Sequence, residues 1–171
     1  ILITGANGLI GKKLSTLLSH DGYAVTHLVR QVDPHNPVNQ VVWNPEKGAL
    51  NEAVFESMDH VIHLAGSNIS GGRWNAQRKK EIHSSRIETA HLLFERSGNA
   101  NLKTFVSASG ISIYGTVTSS QIFNETDPSA TDFLARVTVD WEQAADRFKE
   151  RGVRVVKLRT AVVLAENGGA L

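Results

Sequence analysis

Apolar residues come along this chain in short runs that alternate with longer stretches at helical spacing, and the alternation predicts its elements. The chain opens on an apolar strand over residues 1–4. It breaks at Gly5, Gly8 and Gly11 and resumes as a helix with Ile10, Leu14, Leu17 and Leu18 on one stripe. A second strand follows at 24–29, then a loop over 31–39 that carries Pro34 and Pro37, a short strand at 40–43 and a weak helical segment around 50–58. Residues 59–65 read as a buried strand. A long helix is predicted over 74–97, with Ile82, Ile87, Ala90, Leu93 and Phe94 inward, and a fifth strand over 102–107. The last third predicts a helix over 131–151, in which Phe133, Val137, Trp141, Ala144, Ala145 and Phe148 face the core, and a sixth strand over 153–158. Residues 159–164 are expected to pass back over a cleft. Strands alternating with helices throughout predict an α/β fold with a doubly wound parallel sheet.

The first strand, the glycine turn and the helix after it together make a phosphate site. Gly5 permits a tight exit from the strand, Gly8 lets backbone N–H groups approach a diphosphate, and Gly11 lets the helix pack closely on the sheet. The unpaired amides and the positive end of the helix dipole then face the anion. A P-loop does not fit: Ala6 stands where its first glycine is required, and Lys13 stands where Ser or Thr should follow Lys12.

In such folds the end of the second strand meets the adenosine ribose, where an acidic residue would hold a free 2′-hydroxyl and an arginine would accept a 2′-phosphate. Arg30 stands there, which favours NADP over NAD; the alternative is a solvated arginine at a strand end. Leu64, Ala65 and Gly66, at the end of the fourth strand, are expected to line the cofactor cleft. The hydroxyls clustered from Ser107 through Ser109 and Ser112 to Tyr114 sit just beyond the fifth strand, where nicotinamide and substrate would meet; the alternative is a turn whose serines cap backbone groups.

Composition narrows the partners. With 171 residues, 41% hydrophobic and 20% charged, the chain is an ordinary globular domain, and its net charge of +1 offers no large field for nucleic acid or an anionic membrane. No apolar run approaches the ~20 residues of a membrane helix. Without cysteine there is no disulfide or thiolate nucleophile, and the cytoplasm is the expected compartment. His60 and His63, three apart on a strand, point to opposite faces and make no metal pair, so no metal site is expected. The cluster Arg78, Lys79 and Lys80 reads as the solvated face of its helix, or as an anion clamp at the cleft mouth. The chain opens without methionine and closes on Gly168-Gly169-Ala170-Leu171, and it is expected to be part of a longer protein.

TGANGLIG at residues 4–11, HLAG at 63–66 and the SAS to YG stretch at 107–115 resemble the extended short-chain dehydrogenase/reductase superfamily, which includes nucleotide-sugar epimerases and carries a Rossmann dinucleotide-binding domain. More narrowly, LAGSNISGGRWNAQRKKEIHSSRIET at 64–89, WEQAA at 141–145 and LRTAVVLAENGGAL at 158–171 are similar to its "epimerase family" subgroup, some of whose members carry a SulA-type label. The resemblance implies that Gly5, Asn7, Gly8, Leu9, Ile10 and Gly11 hold the diphosphate, Arg30 the 2′-phosphate, and Leu64, Ala65 and Gly66 the adjoining ribose. Ser107 and Thr160 are counted with this cofactor set. The implied partner is a small-molecule substrate, with a nucleotide sugar among the candidates, and a homodimer is a candidate assembly. Family members continue into a smaller substrate-binding lobe, so that residues 1–171 are expected to be the dinucleotide-binding domain alone.

The superfamily works through a Ser or Thr beyond the fifth strand and a Tyr-x-x-x-Lys pair on the next helix. Here, counting back from Trp141, Asp132 holds the Tyr position and Arg136 the Lys position, while Gly110 stands four residues before Tyr114 where the serine belongs. Ser109 is one place early, Ser112 two places late, and Thr118 follows Tyr114 where a lysine would. The substitute assembly is Ser109, Tyr114 and Arg136. Three readings stand at this point: an NADP(H)-dependent oxidoreductase or epimerase, a nucleotide-binding sensor or scaffold without turnover, and an NAD-dependent nucleotide-sugar epimerase.

Overall fold

The computed structural model describes residues 1–116, 118, 120–166 and 168–169, the last pair as backbone. Ala170 and Leu171, at the expected junction with further chain, lie outside the described residues. Short apolar segments become strands because each can bury both of its faces: β1 (Leu2–Thr4) and β2 (Thr26–Val29) are buried at every position. With β3 (Asn39–Val42), β4 (His60–His63), β5 (Thr104–Gly110) and β6 (Arg154–Thr160) they form one sheet in the order β3-β2-β1-β4-β5-β6. Every pairing in it is parallel. The glycine elbow therefore leaves a central strand.

Helix α1 (Leu9–His20) covers one face of the sheet, and α2 (Ala76–Ser97) and α3 (Phe133–Asp146) cover the other. Adjacent residues of β1 show the division. Leu2 packs with Leu92, Phe94 and Phe148, whereas Ile3 packs with Ala6 and Leu18. Phe105 stacks on Phe148 at 3.9 Å between ring centres and anchors the larger core. Asn75 caps α2 by accepting from the Arg78 amide, and Asp132 caps α3 by accepting from Ala135, which sets both helix starts within two residues of their predicted positions. Trp141 is core, as the spacing predicted. On the α1 side the covering stops at β4, so that Val106 and Val156 are half-buried and Leu158 is exposed.

Three expectations are corrected. The predicted α1 stripe is packed only in part: Ile10 and Leu17 are exposed, Leu14 and Leu18 are half-buried, and the residues fully buried against the sheet are Gly11 and Ser15. Close approach at Gly11 brings the helix in on its small residues, and Ser15 completes that face by donating to the Gly11 carbonyl and accepting from His27 Nε2. Second, β5 does not end at 107 but runs to Gly110, so Ala108 and Ser109 belong to the strand and only Ile111–Tyr114 turn, as a 3₁₀ helix. Third, Arg159 and Thr160 do not cross the cleft; they extend β6 and pair with Ser109 and Gly110. The weak helical segment is a 3₁₀ helix, Glu52–Ser57. Beyond β6, β7 (Leu164–Ala165) and β8 (Gly168–Gly169) form a small antiparallel ribbon. Among the described residues no helix is long and apolar enough to cross a membrane.

Candidate functional site

The elbow sits where the strand order reverses, with β2 on one side of β1 and β4 on the other, which is where an open parallel sheet leaves a crevice at its carboxyl ends. Gly5 takes φ +67°, in the left-handed region, and a Cβ there would lie 2.7 Å from the Leu64 carbonyl carbon. A Cβ on Gly11 would lie 2.4 Å from the Gly5 carbonyl oxygen. Both glycines are thus demanded by backbone packed against backbone. Gly8 caps α1 with no side-chain hydrogen bond, and its carbonyl receives the Lys12 amide at 3.0 Å. The amides of Leu9, Ile10 and Gly11 have no carbonyl one turn earlier to bond, and no side chain seals them. Asn7, Gly8, Leu9 and Ile10 form an exposed rim around these donors. The cradle fits a dinucleotide diphosphate: its donors are open, and the space it needs is what glycine Cβ atoms would have filled.

Arg30 lies one residue past β2, exposed, with no ion pair or hydrogen bond among the described residues. On the other side of the elbow, Leu64, Ala65 and Gly66 follow β4 and are tied to β1 by Thr4. Its buried Oγ1 accepts from the amides of Leu64 at 3.2 Å and Ala65 at 3.1 Å and lies 2.8 Å from His63 Nδ1. With both lone pairs occupied, the hydroxyl donates to Nδ1, and His63 carries its proton on Nε2, facing Thr89 Oγ1 at 3.3 Å and the Arg86 carbonyl at 3.4 Å.

Burial first, and then the Arg86 charge, push the His63 pKa down to about 4 against the raising effect of the Arg86 carbonyl. Its imidazole is neutral in the folded state over the physiological range. Because the unfolded chain binds this proton from about pH 6.5 while the folded chain resists it to about pH 4, stability rises with pH across that window. The domain is expected to lose about 3 kcal/mol of unfolding free energy between pH 7 and pH 4 through this group, with His27, also lowered by burial, adding in the same direction. Urea titrations at pH 7.0 and 4.5 check this; equal stability at the two would show that protonating His63 does not oppose folding.

The hydroxyls beyond the crevice are joined by a charged pair. Ser109 Oγ donates to Glu142 Oε1 at 2.6 Å, and the same carboxylate takes Arg159 in two bonds, Nε at 2.8 Å and Nη2 at 3.0 Å. Arg159 Nη1 donates to the Tyr114 hydroxyl at 2.6 Å, and that hydroxyl donates to the Asn124 carbonyl at 2.8 Å. Burial raises the Glu142 pKa, but the bonds from Arg159 and Ser109 and the charges of Arg159 and Lys157 outweigh it, leaving the carboxyl below its ordinary value. Arg159 is held above its own, chiefly by Glu142.

The structure thus brings Ser109 and Tyr114 into one network, and it does not bring Arg136 there. The face of α3 turned to β5 carries Thr138 and Glu142: Thr138 Oγ1 donates to the Leu134 carbonyl and accepts from Ser112 at 2.9 Å. Arg136, two residues and so roughly 200° before Thr138 on the helix, is exposed on the opposite side. Ser107 is buried, with its hydroxyl on the Ala108 carbonyl and away from the crevice surface, and Thr160 is exposed at the end of β6, donating to the Ser109 carbonyl. Sequence reading missed Thr4, Arg86, Glu142 and Arg159. The one signal was helical spacing, which puts Glu142 four residues after Thr138 on a single face.

An uncapped glycine elbow on a central strand, with a free arginine one strand over, defines a dinucleotide-binding α/β domain. The model of the NAD dependent epimerase/dehydratase family matches residues 1–168, and the chain belongs to that family, among the short-chain dehydrogenases/reductases. The Epimerase family protein Mb2239 of Mycobacterium bovis is 34% identical over 171 residues, which are 100% of this chain and 56% of that protein. The crystal structure of human epimerase family protein SDR39U1 with NADPH superposes with a TM-score of 0.81 at 30% identity, covering 99% of this chain and 56% of the human one. A nucleoside-diphosphate sugar epimerase from Corynebacterium glutamicum gives 0.79 at 32% identity, over 99% of this chain and 35% of that one. The chain spans about half the length of the curated relatives it matches.

Proposed function

We propose that this chain is the NADP(H)-binding domain of an oxidoreductase or epimerase acting on a carbonyl or nucleotide-sugar substrate. One observation carries the reading: open α1 amides at the crevice are paired with Arg30, exposed and uncommitted just past β2. In this reading Gly5, Asn7, Gly8, Leu9, Ile10 and Gly11 surround the diphosphate, Leu64, Ala65 and Gly66 border the adjoining ribose, and Arg30 meets the 2′-phosphate. That the similar human protein was crystallised with NADPH supports it. The bound cofactor supplies hydride transfer at its nicotinamide C4. The chain's own part is to orient it and to present Ser109 and Tyr114 hydroxyls fixed by Glu142 and Arg159. Substrate contacts would be shared with the length that the relatives carry beyond the matched segment.

Replacing Arg30 with alanine is expected to weaken NADPH about ten- to a hundredfold, the worth of charge-assisted bonds to a phosphate, and to leave NADH unchanged. Calorimetric titration of both cofactors into both proteins reads the difference. Equal affinities that ignore the substitution would discard the NADP(H) assignment and return the NAD-dependent reading.

A second reading, nucleotide binding without turnover, is favoured by the prior commitments of the hydroxyls. Ser109 is buried against Glu142, and Tyr114 donates to a backbone carbonyl. Consumption of NADPH with carbonyl or nucleotide-sugar substrates, followed at its absorbance band, separates the two.

A further inference from the structure

Arg86 is a buried charge with no part in the networks around Glu142 or the glycine elbow. Only 8% of it is exposed, yet among the described residues no carboxylate lies within ion-pair distance of its guanidinium. Its bonds go to neutral groups: Nη1 donates to the Ile82 carbonyl at 2.8 Å and weakly to Ser85 Oγ, and Nη2 donates to the Ser67 carbonyl at 3.0 Å. The guanidinium lies over the Trp141 ring, 5.2 Å from its centre. Burial first, then the like charge of Arg78, push its pKa down to about 10, so that it remains charged at neutral pH. An unpaired cation held this way is disfavoured unless something at the site uses it.

Its position shows what could. A Cβ on Gly66 would lie 3.1 Å from the guanidinium carbon, so the turn that leaves β4 at the carboxyl end of the sheet packs directly on this charge. Two mononucleotide-binding halves make up a fold of this kind. Arg30 marks the adenosine half, beside β2, and Arg86 lies in the other, between the β4 turn and α3. The nicotinamide half of a dinucleotide falls on that side. Oxidised nicotinamide carries a positive charge and reduced nicotinamide carries none, so a fixed cation nearby opposes the oxidised form alone.

Resting on the NADP(H) reading above, we infer that Arg86 makes the crevice discriminate between redox states of the cofactor, holding NADPH more tightly than NADP⁺. Two unit charges ~10 Å apart at an effective dielectric constant of ~20 repel by enough to change a binding constant about tenfold. Arg86 is a positioning and field residue for this purpose, not one that touches the reacting atoms.

Titrating the whole chain with NADPH and with NADP⁺ tests this by their ratio. The wild-type protein is expected to prefer NADPH about tenfold, Arg86→Gln to bring the ratio close to one, and Arg86→Lys to restore most of it. A purely structural Arg86, tying Ser67 to Ile82, would weaken both forms together and leave the ratio where it was. A wild-type ratio near one, or a ratio that Arg86→Gln does not move, overturns the inference. If Arg86→Gln does not fold, the midpoint potential of the cofactor on the wild-type protein decides: a tenfold preference raises it by about 30 mV above the free couple, and an unshifted or lowered midpoint overturns the inference. Failure of both cofactor forms to bind at all would instead strike the NADP(H) reading beneath it.

Discussion

Gly11→Val is expected to lower NADPH affinity at least a hundredfold and to destabilise the domain by about 1–3 kcal/mol, the range for forcing extra carbon into a filled site. The cause is on one side of α1. A Cβ at this position would meet the Gly5 carbonyl oxygen at 2.4 Å and the Ala6 Cα at 2.7 Å, all of it backbone of the elbow. Backbone cannot swing aside as a long side chain can, so α1 must tilt away from β1. The tilt carries the amides of Leu9, Ile10 and Gly11 off their common focus, and a diphosphate that needs them together loses its site. Gly8→Ala makes a graded comparison, because its added carbon would meet only the Gly5 carbonyl, at 3.2 Å. Thermal melts and calorimetric NADPH titrations read both effects; full affinity in Gly11→Val would mean that the diphosphate does not bind at the elbow.

The second large effect is expected at Glu142. Its side chain is 8% exposed, and it is the shared anion for Arg159 at 2.8 Å, Lys157 at 3.6 Å and the Ser109 hydroxyl. Glu142→Ala leaves a guanidinium that is 20% exposed with its main partner removed and a buried hydroxyl without an acceptor. Breaking a buried pair from one side lowers stability by about 3–5 kcal/mol, and Glu142→Gln, which keeps shape and one acceptor, should lose less. Urea unfolding at pH 7 measures both. The loss also reaches the crevice, because Arg159 holds the Tyr114 hydroxyl and the Glu125 carbonyl, so that Tyr114 and residues 124–125 lose a common anchor. A Glu142→Ala protein within 1 kcal/mol of wild type would show that this network organises the site without supporting the fold.

The parts legible in the sequence were those written in local pattern. Glycine spacing after an apolar strand gave the elbow, and period gave α2 and α3 with their buried faces, down to Ile82, Leu93 and Trp141. Pattern misled where an apolar residue had no sheet to meet: Ile10 and Leu17 fit a stripe with Leu14 and Leu18, but close contact at Gly11 and Ser15 leaves the first two exposed and the other two half-buried. It also placed the end of β5 too early, since Ala108, Ser109 and Gly110 carry no strand signature of their own and extend only because β6 pairs with them. Partnerships across the chain were beyond it. Ser109 meets Glu142 across 33 positions and Thr4 meets His63 across 59, and nothing in either neighbourhood announces the other. Counting from Trp141 put Arg136 in the lysine's place, whereas the fold supplies the tyrosine's cation from β6, as Arg159.

Thr4 makes the two banks of the crevice a single object. Its one hydroxyl takes the amides of Leu64 and Ala65 and is itself buttressed by His63, so the turn after β4 is fastened to the strand that feeds the glycine elbow. The distance between those banks is therefore set before any nucleotide arrives, as in a jig, and association need not spend part of its binding energy on arranging them.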